Sequence, residues 1–239
     1  KAIQNVEQNI QNAEDLFQSK LNEIFSQKGD NWETKKLIDV FDINPKKNTN
    51  LAEKSLATYA PMKDLGFYYS KTLFTQEKSS DKMQKGLKNF IENDLLLAKV
   101  TPCFENGKLG IARNLTNGVG FGSTEYIVFR KKNKISTDYL FLFLSQDSFR
   151  LQGKRNMTGT SGLKRVPINF VKNYSISYPK NNEEQNRIIN LANEFKAGIN
   201  TLNSNNLVKL KLTMKLSDGS RSIIVYSLFQ DSLFRIQWQ

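Results

Sequence analysis

Leu95-Leu96-Leu97-Ala98-Lys99-Val100-Thr101-Pro102-Cys103-Phe104-Glu105-Asn106-Gly107-Lys108 joins a short apolar run to a polar turn. Leu95–Lys99 reads as a strand, because a brief run of apolar residues bounded by turn signals is too short for a helix. Asn106-Gly107 is a strong hairpin signal. Lys99, Thr101 and Lys108 carry donors that can reach phosphate at the end of that strand. Cys103 reads as a small buried residue, since the chain has no histidine to activate a thiol.

Outward from this stretch, Tyr126–Arg130 and Tyr174–Tyr178 give two more strands. Tyr139–Ser145, continuing towards Phe149, reads as a helix started by Ser136-Thr137-Asp138. Glycines group in two segments read as loops, Gly118-Val119-Gly120-Phe121-Gly122 and Gly159-Thr160-Ser161-Gly162. Trp32 to Tyr178 is therefore expected to form a mixed α/β domain. On its N-terminal side, Ile3, Val6, Ile10, Ala13, Phe17, Leu21 and Ile24 recur at helical spacing, close to the seam of a coiled coil. Gly29 and Asp30 stop that helix. After Pro179 a second helix is capped by Asn181 or Asn182, with Glu183 and Glu184 at the positive end of its dipole. Its stripe is Ile188, Leu191 or Ala192, Phe195, Ile199 and Leu202. Asn203-Ser204-Asn205-Asn206 interrupts the pattern before Leu207, Leu210 and Met214 resume it. The fold class is α+β: helix 1–28, domain 29–180, helix 181–216, and a tail 217–239 in which Ser217-Asp218-Gly219-Ser220 reads as a turn and Ser222–Phe229 as a strand.

The chain has 239 residues, enough for one sizeable domain with extensions, or two small ones. Only 38% of residues are hydrophobic, but 16 Phe and 8 Tyr supply bulky core material. The net charge is +12, and 13 basic residues against 4 acidic ones between Lys99 and Lys172 hold nine of those excess charges. A localised basic region suits a polyanion such as nucleic acid, although a solvated Lys-rich surface reads the same way on charge alone. One cysteine permits no disulfide framework and no cysteine-based zinc site. The lack of histidine excludes His-dependent triads, His metal ligands and imidazole acid–base catalysis. No Walker-type loop and no Asn/Asp-Pro-Pro-Tyr signature of an adenine methyltransferase occurs. Lys1 to Asp15 hold no signal-peptide core, and the longest apolar run, Tyr139–Leu144, is far too short for a bilayer, so a cytoplasmic location is expected.

Two motifs carry chemistry. In Gly120-Phe121-Gly122-Ser123-Thr124-Glu125, the glycines allow close backbone approach and Ser123 and Thr124 offer hydroxyls to phosphate or base edges. The competing reading, in which these side chains cap their own backbone, is the preferred one as bare chemistry. Lys154-Arg155-Asn156-Met157-Thr158-Gly159-Thr160-Ser161-Gly162-Leu163-Lys164-Arg165 joins hydroxyls and glycines to flanking cations. Here nucleic-acid contact is preferred over a solvated loop. Glu33-Thr34-Lys35 superficially matches part of a nuclease metal site, but no partner Asp on a preceding strand is evident.

In sequence order, the opening helix ending Leu16–Phe25, then Leu95–Lys108, Gly120–Glu125, Met157–Pro167 and Glu183–Ile189 together resemble the specificity subunits of type I restriction–modification systems. The match spans residues 1 to about 202. The resemblance implies a target-recognition domain flanked by two long spacer helices that pack as an antiparallel coiled coil. It implies that the domain reads one part of a bipartite site in double-stranded DNA and catalyses nothing itself. Modification (methyltransferase) subunits using S-adenosylmethionine and a restriction subunit using ATP and Mg are the implied partners, and no cofactor is implied for this chain. Family members carry two recognition domains, so one domain here implies a half-subunit, which can pair as a homodimer through the helices, or a fragment. The tail after Met214 departs from the family, whose distal helix continues. Candidate DNA contacts are Lys99, Thr101, Lys108, Ser123, Thr124, Arg155, Thr158, Thr160, Ser161, Lys164 and Arg165. Two other readings stay open: the recognition region of a fused restriction–methyltransferase enzyme, and a helix-mediated assembly protein.

Overall fold

The computed structural model describes residues 2–217 apart from 47–53, 68–71, 73, 75, 84–85, 133–134 and 161, with side chains described to Ile199 except at residues 1–3, 6, 7, 10, 82 and 83. In chain order the elements are α1 (Ala2–Ser26), β1 (Trp32–Lys36), α2 (Leu37–Val40), β2 (Phe41–Ile43), β3 (Leu56–Ala60), β4 (Gln76–Ser79), α3 (Ser80–Met83), β5 (Lys88–Ile91), β6 (Leu95–Ala98), β7 (Leu109–Ile111) and β8 (Val119–Gly122). They continue with β9 (Tyr126–Lys131), α4 (Thr137–Leu144), α5 (Asp147–Asn156), β10 (Thr158–Thr160), β11 (Leu163–Arg165), α6 (Ile168–Asn173), β12 (Ser175–Pro179) and α7 (Asn182–Ser217). The α+β class expected from the sequence is the class observed.

The chain divides into two units. One, Gln18–Asn193, holds the sheets and is wider at each end than the 29–180 span. The other comprises Lys1–Phe17 and Glu194–Gln239; its described part is helix, residues 2–17 of α1 and 194–217 of α7.

Two four-stranded sheets dominate the larger unit, in the orders β2-β9-β6-β7 and β4-β3-β8-β5. The first is antiparallel throughout; in the second, β3 and β8 run parallel. Leu96 pairs with Val128 and Ala98 with Tyr126, so these four share one face of the first sheet. They cluster with Ala60 of β3 and Phe90 of β5 from the second sheet, and with Leu65, Ala112 and Leu115. Each buried leucine or phenylalanine in such a cluster contributes about 1.5–3 kcal/mol. On the opposite face, Leu97 and Leu109 meet Phe104, Leu144 and Phe149 around a small void. Burial on both faces is why β6 reads Leu-Leu-Leu-Ala without alternation.

The segment Gly118–Gly122, read as a loop, contains the inner strand β8. Gly118 turns the chain with a left-handed φ of 68°, whereas Gly120 and Gly122 serve packing. A Cβ on Gly120 would lie 2.1 Å from the Phe90 ring, and one on Gly122 would lie 2.5 Å from the Ala60 carbonyl oxygen. The Asn106-Gly107 signal also resolves differently. β6 and β7 do pair as antiparallel neighbours, but Val100–Lys108 coils as successive turns, with Phe104 N–H on Val100 O and Lys108 N–H on Cys103 O, both at 2.9 Å.

The helix expected at Tyr139–Ser145 is two helices, α4 and α5, with Ser136 Oγ accepting from Tyr139 N–H to cap the first. Gln18, on α1, is buried at the corner between them: its Nε2 donates to Ser145 O (3.0 Å) and its Oε1 accepts from Asp147 N–H (3.0 Å). Phe25 sets its ring edge-to-face against Tyr139 and Phe143. These contacts carry the end of α1 into the larger unit.

β1 and β12 pair antiparallel. Glu33 accepts from the Tyr178 hydroxyl (2.7 Å), which with Lys35 holds its carboxyl below the usual range. Glu33-Thr34-Lys35 is thus strand, and no group of metal-ligating side chains occurs among the described residues.

Asn181 is the cap of α7, accepting from Glu183 N–H (2.8 Å). Ile188 and Ala192 are buried while Leu191 is exposed, which settles the stripe on Ala192. The helix runs unbroken through Asn203–Asn206 to Ser217, and the turn expected at Ser217-Asp218-Gly219-Ser220 extends outside the described residues. Asparagine lowers helix propensity by only a few tenths of a kcal/mol, roughly, and its helix-forming neighbours outweigh it. The side chains of Leu202, Leu207, Leu210 and Met214, and the strand expected at Ser222–Phe229, lie outside the described residues. Among the described residues, no helix is long and apolar enough to cross a membrane.

Candidate nucleic-acid interface

The Lys154–Arg165 motif folds into the last turn of α5 and the hairpin β10–β11. Its register is Thr158↔Arg165, Gly159↔Lys164 and Thr160↔Leu163. Threonines suit the extended strand, and Gly162 takes a left-handed φ of 80° at the turn. Gly159, at φ 134°, cannot be another residue: a Cβ there would sit 2.4 Å from the Leu163 carbonyl oxygen.

An isolated two-stranded hairpin is marginal in water. This one is moored to the chain leaving β6. Thr101 N–H donates to Lys164 O (2.9 Å) and Val166 N–H to Lys99 O (2.8 Å), flanking a bridge between Val100 and Arg165. Lys164 N–H in turn donates to Thr101 Oγ1 (2.9 Å), and that hydroxyl reaches Lys164 O at 3.2 Å. Thr101 therefore clips the Lys164 backbone at both polar atoms and leaves its ammonium exposed.

Below the hairpin, Arg165 makes a two-point pair with Glu125, Nε to Oε2 at 2.9 Å and Nη2 to Oε1 at 2.8 Å. Lys99 lies 3.8 Å from the same carboxylate and donates to Thr124 O (3.1 Å). Ser123 Oγ accepts from Glu125 N–H (3.2 Å), shaping the turn that presents the carboxylate. The Arg165 hydrogen bond, then the charges of Lys99 and Arg165, hold the Glu125 carboxyl below its ordinary 4.5 despite partial burial. A carboxylate with a depressed folded-state value stabilises above its unfolded value and loses that contribution as pH falls through the folded one. An NMR titration of the Glu125 carboxyl is therefore expected to show a midpoint below 4.5. In Arg165→Ala the midpoint should rise towards 4.5; an unmoved midpoint would mean Arg165 is not its main partner.

The fold thus brings together Lys99, Thr101, Ser123, Thr124, Thr158, Thr160, Lys164 and Arg165, which are distributed over 67 positions of sequence. Arg155 is exposed in the last turn of α5, three residues before the hairpin begins. Thr124, Thr158 and Thr160 are exposed. Thr101 and Ser123 hold the frame with their hydroxyls, the backbone-capping alternative for the Gly120–Glu125 motif. Ser161 lies outside the described residues. Lys108 does not join the group. Its ammonium points at three backbone carbonyls, Met62 (3.0 Å), Leu65 (3.2 Å) and Lys63 (3.4 Å), and lies over the Phe67 ring. A phosphate contact for Lys108 is replaced by a structural tie, because an ammonium has three donors and these carbonyls engage them.

One cation escaped the sequence reading. Lys88 opens β5 opposite Gly122, and burial together with the nearby charge of Lys99 pushes its ammonium pKa down. It sits before the basic stretch and carries no motif, so only the strand pairing reveals it. Neighbouring like charges favour binding of an anion, which relieves their repulsion.

Comparison with known proteins matches this framework. Residues 29–212 match the family described as type I restriction modification DNA specificity domain. The specificity subunit of the EcoEI type I restriction enzyme of Escherichia coli is 34% identical over 154 residues, covering 64% of this chain and 26% of the relative. The EcoAI specificity subunit of the same organism is 36% identical over 161 residues, covering 67% of this chain and 27% of the relative. The chain spans about a quarter of the length of these curated relatives. A chain from a structural study of complex assembly and conformational transition in the type I R-M system superposes with a TM-score of 0.66 at 16% identity, covering 89% of this chain and 51% of that one, a likeness of fold. The mooring of the hairpin lies wholly within the matched region, and the chain belongs to the type I restriction–modification DNA specificity domain family.

Proposed function

We propose that this chain reads one part of a bipartite target in double-stranded DNA for a type I restriction–modification complex and performs no chemistry on the DNA itself. The observation that carries the reading is the moored hairpin β10–β11, whose Thr158, Thr160 and Lys164 are exposed, which follows the exposed Arg155 in the chain and is tied through Arg165 to the Glu125 carboxylate beside Lys99. A two-stranded ribbon fits the major groove, and hydroxyls and cations on a fixed backbone supply base and phosphate contacts. Modification subunits that methylate with S-adenosylmethionine and a restriction subunit that uses ATP and Mg are the partners this reading requires. The apolar stripe of α1 and the length of α7 support a spacer role, with the two helices pairing as an antiparallel coiled coil and a second copy completing a two-domain reader.

Binding of the chain, assembled with its modification subunits, to its target duplex measures this reading. Lys164→Ala is expected to weaken binding across sequences and to lower the slope of log K against log salt by about 0.9, the loss of one phosphate contact. A slope identical to wild type would remove the hairpin from the interface.

A further inference from the structure

The antiparallel register sorts the hairpin's side chains onto two faces. Directly opposed residues share a face, and residues two apart along a strand share it too. Thr158, Thr160, Leu163 and Arg165 therefore lie on one face, and Gly159 and Lys164 on the other. Leu163 is 49% exposed. A single exposed leucine is ordinary on a protein surface. This one differs in its setting: it is paired to Thr160 and followed by Lys164 and Arg165, on a ribbon gripped along its edge by Thr101 and, two residues further on the same face, through Arg165 by Glu125.

We propose, resting on the DNA-reading function above, that Leu163 is a specificity-determining residue that covers the 5-methyl group of a thymine in the major groove. Thymine is the base whose major-groove edge offers an acceptor oxygen beside a methyl group. The Thr160 hydroxyl and the Leu163 side chain, opposed across the hairpin, present a donor beside an apolar surface. The surrounding cations select a polyanion as the partner, whereas an apolar protein surface would have to desolvate them. Lys164, on the other face, is left to phosphate. The hairpin thus separates base reading from backbone positioning by its two faces.

The test uses the full chain assembled with its modification subunits and a target duplex identified by methylome sequencing. Each thymine is replaced singly by deoxyuridine, which deletes only the methyl group. Wild type is expected to lose about fourfold in affinity at one position, the effect of one buried methyl. Leu163→Ala is expected to lose nothing there, while its salt dependence and unfolding midpoint stay at wild-type values. If no thymine shows this loss, if Leu163→Ala still senses the same methyl, or if the variant fails in assembly with the modification subunits, the assignment is overturned. If wild type itself does not prefer its target over a scrambled duplex, the DNA-reading function fails first, before any variant is compared.

Discussion

Asp94→Ala is expected to destabilise the chain by about 3–5 kcal/mol, the usual effect of removing one partner from a buried ion pair. Asp94 is 1% exposed. Its carboxylate takes Arg130 at two points, 3.0 and 2.8 Å, and accepts from Ile91 N–H at 2.8 Å. Its backbone adds two more ties, accepting from Ala112 N–H (2.8 Å) and donating to Ile91 O (3.1 Å). The residue thus stands where β5 turns into β6 and joins that turn to β9. Alanine leaves a largely buried guanidinium and a backbone donor without their acceptor, and desolvation makes both costly. In a domain of this size the unfolding midpoint should fall by roughly 10 °C. Asp94→Asn retains the shape and some hydrogen bonding, so its loss should be smaller. Thermal or urea unfolding measures both, and an alanine variant within 1 °C or so of wild type would show that the pair adds nothing over hydrated alternatives.

The second large effect is on binding with the fold preserved. Gly159→Ala is expected to reduce affinity for the target on the order of a hundredfold or more, towards the level of non-specific binding. The Cβ would meet Leu163 O at 2.4 Å and the Lys164 Cα at 3.1 Å, both backbone atoms that no rotamer change can move. Its φ of 134° is also denied to an L side chain. The two strands must separate, which scatters the reading face. Apart from the half-buried Arg165 both strands are exposed, and they contribute little to the core, so the unfolding midpoint should stay near wild type. Normal target binding by a folded Gly159→Ala protein would mean that the hairpin is not the reading element.

The fold was legible in the sequence where burial pattern and capping chemistry act locally. The strands around Leu95, Tyr126 and Ser175, the Ser136 cap and the long flanking helices follow from neighbours along the chain. What was not legible depends on partners far away in sequence. Gly120 and Gly122 look like turn residues, yet their role is set by Phe90, Ala60 and Tyr126, which no local rule supplies. Gln18 reads as one more polar residue on a helix until the corner at Ser145 and Asp147 closes over it. The site divides the same way. Residue type singled out Arg155, Thr158, Thr160 and Lys164 as candidates, but only three-dimensional placement distinguishes Lys99 and Arg165, drawn to Glu125, from Lys108, drawn to carbonyls. Lys88 and Leu163 gain meaning from strand register alone.

The clip made by Thr101 has an evolutionary consequence. It grips the Lys164 main chain, and the Glu125 pair grips Arg165, so the hairpin's position owes little to the identity of Thr158, Thr160 or Leu163. Changes at those exposed sites typically shift stability by no more than about 0.5 kcal/mol. A lineage can therefore exchange them one at a time while the scaffold and its thermal tolerance stay constant.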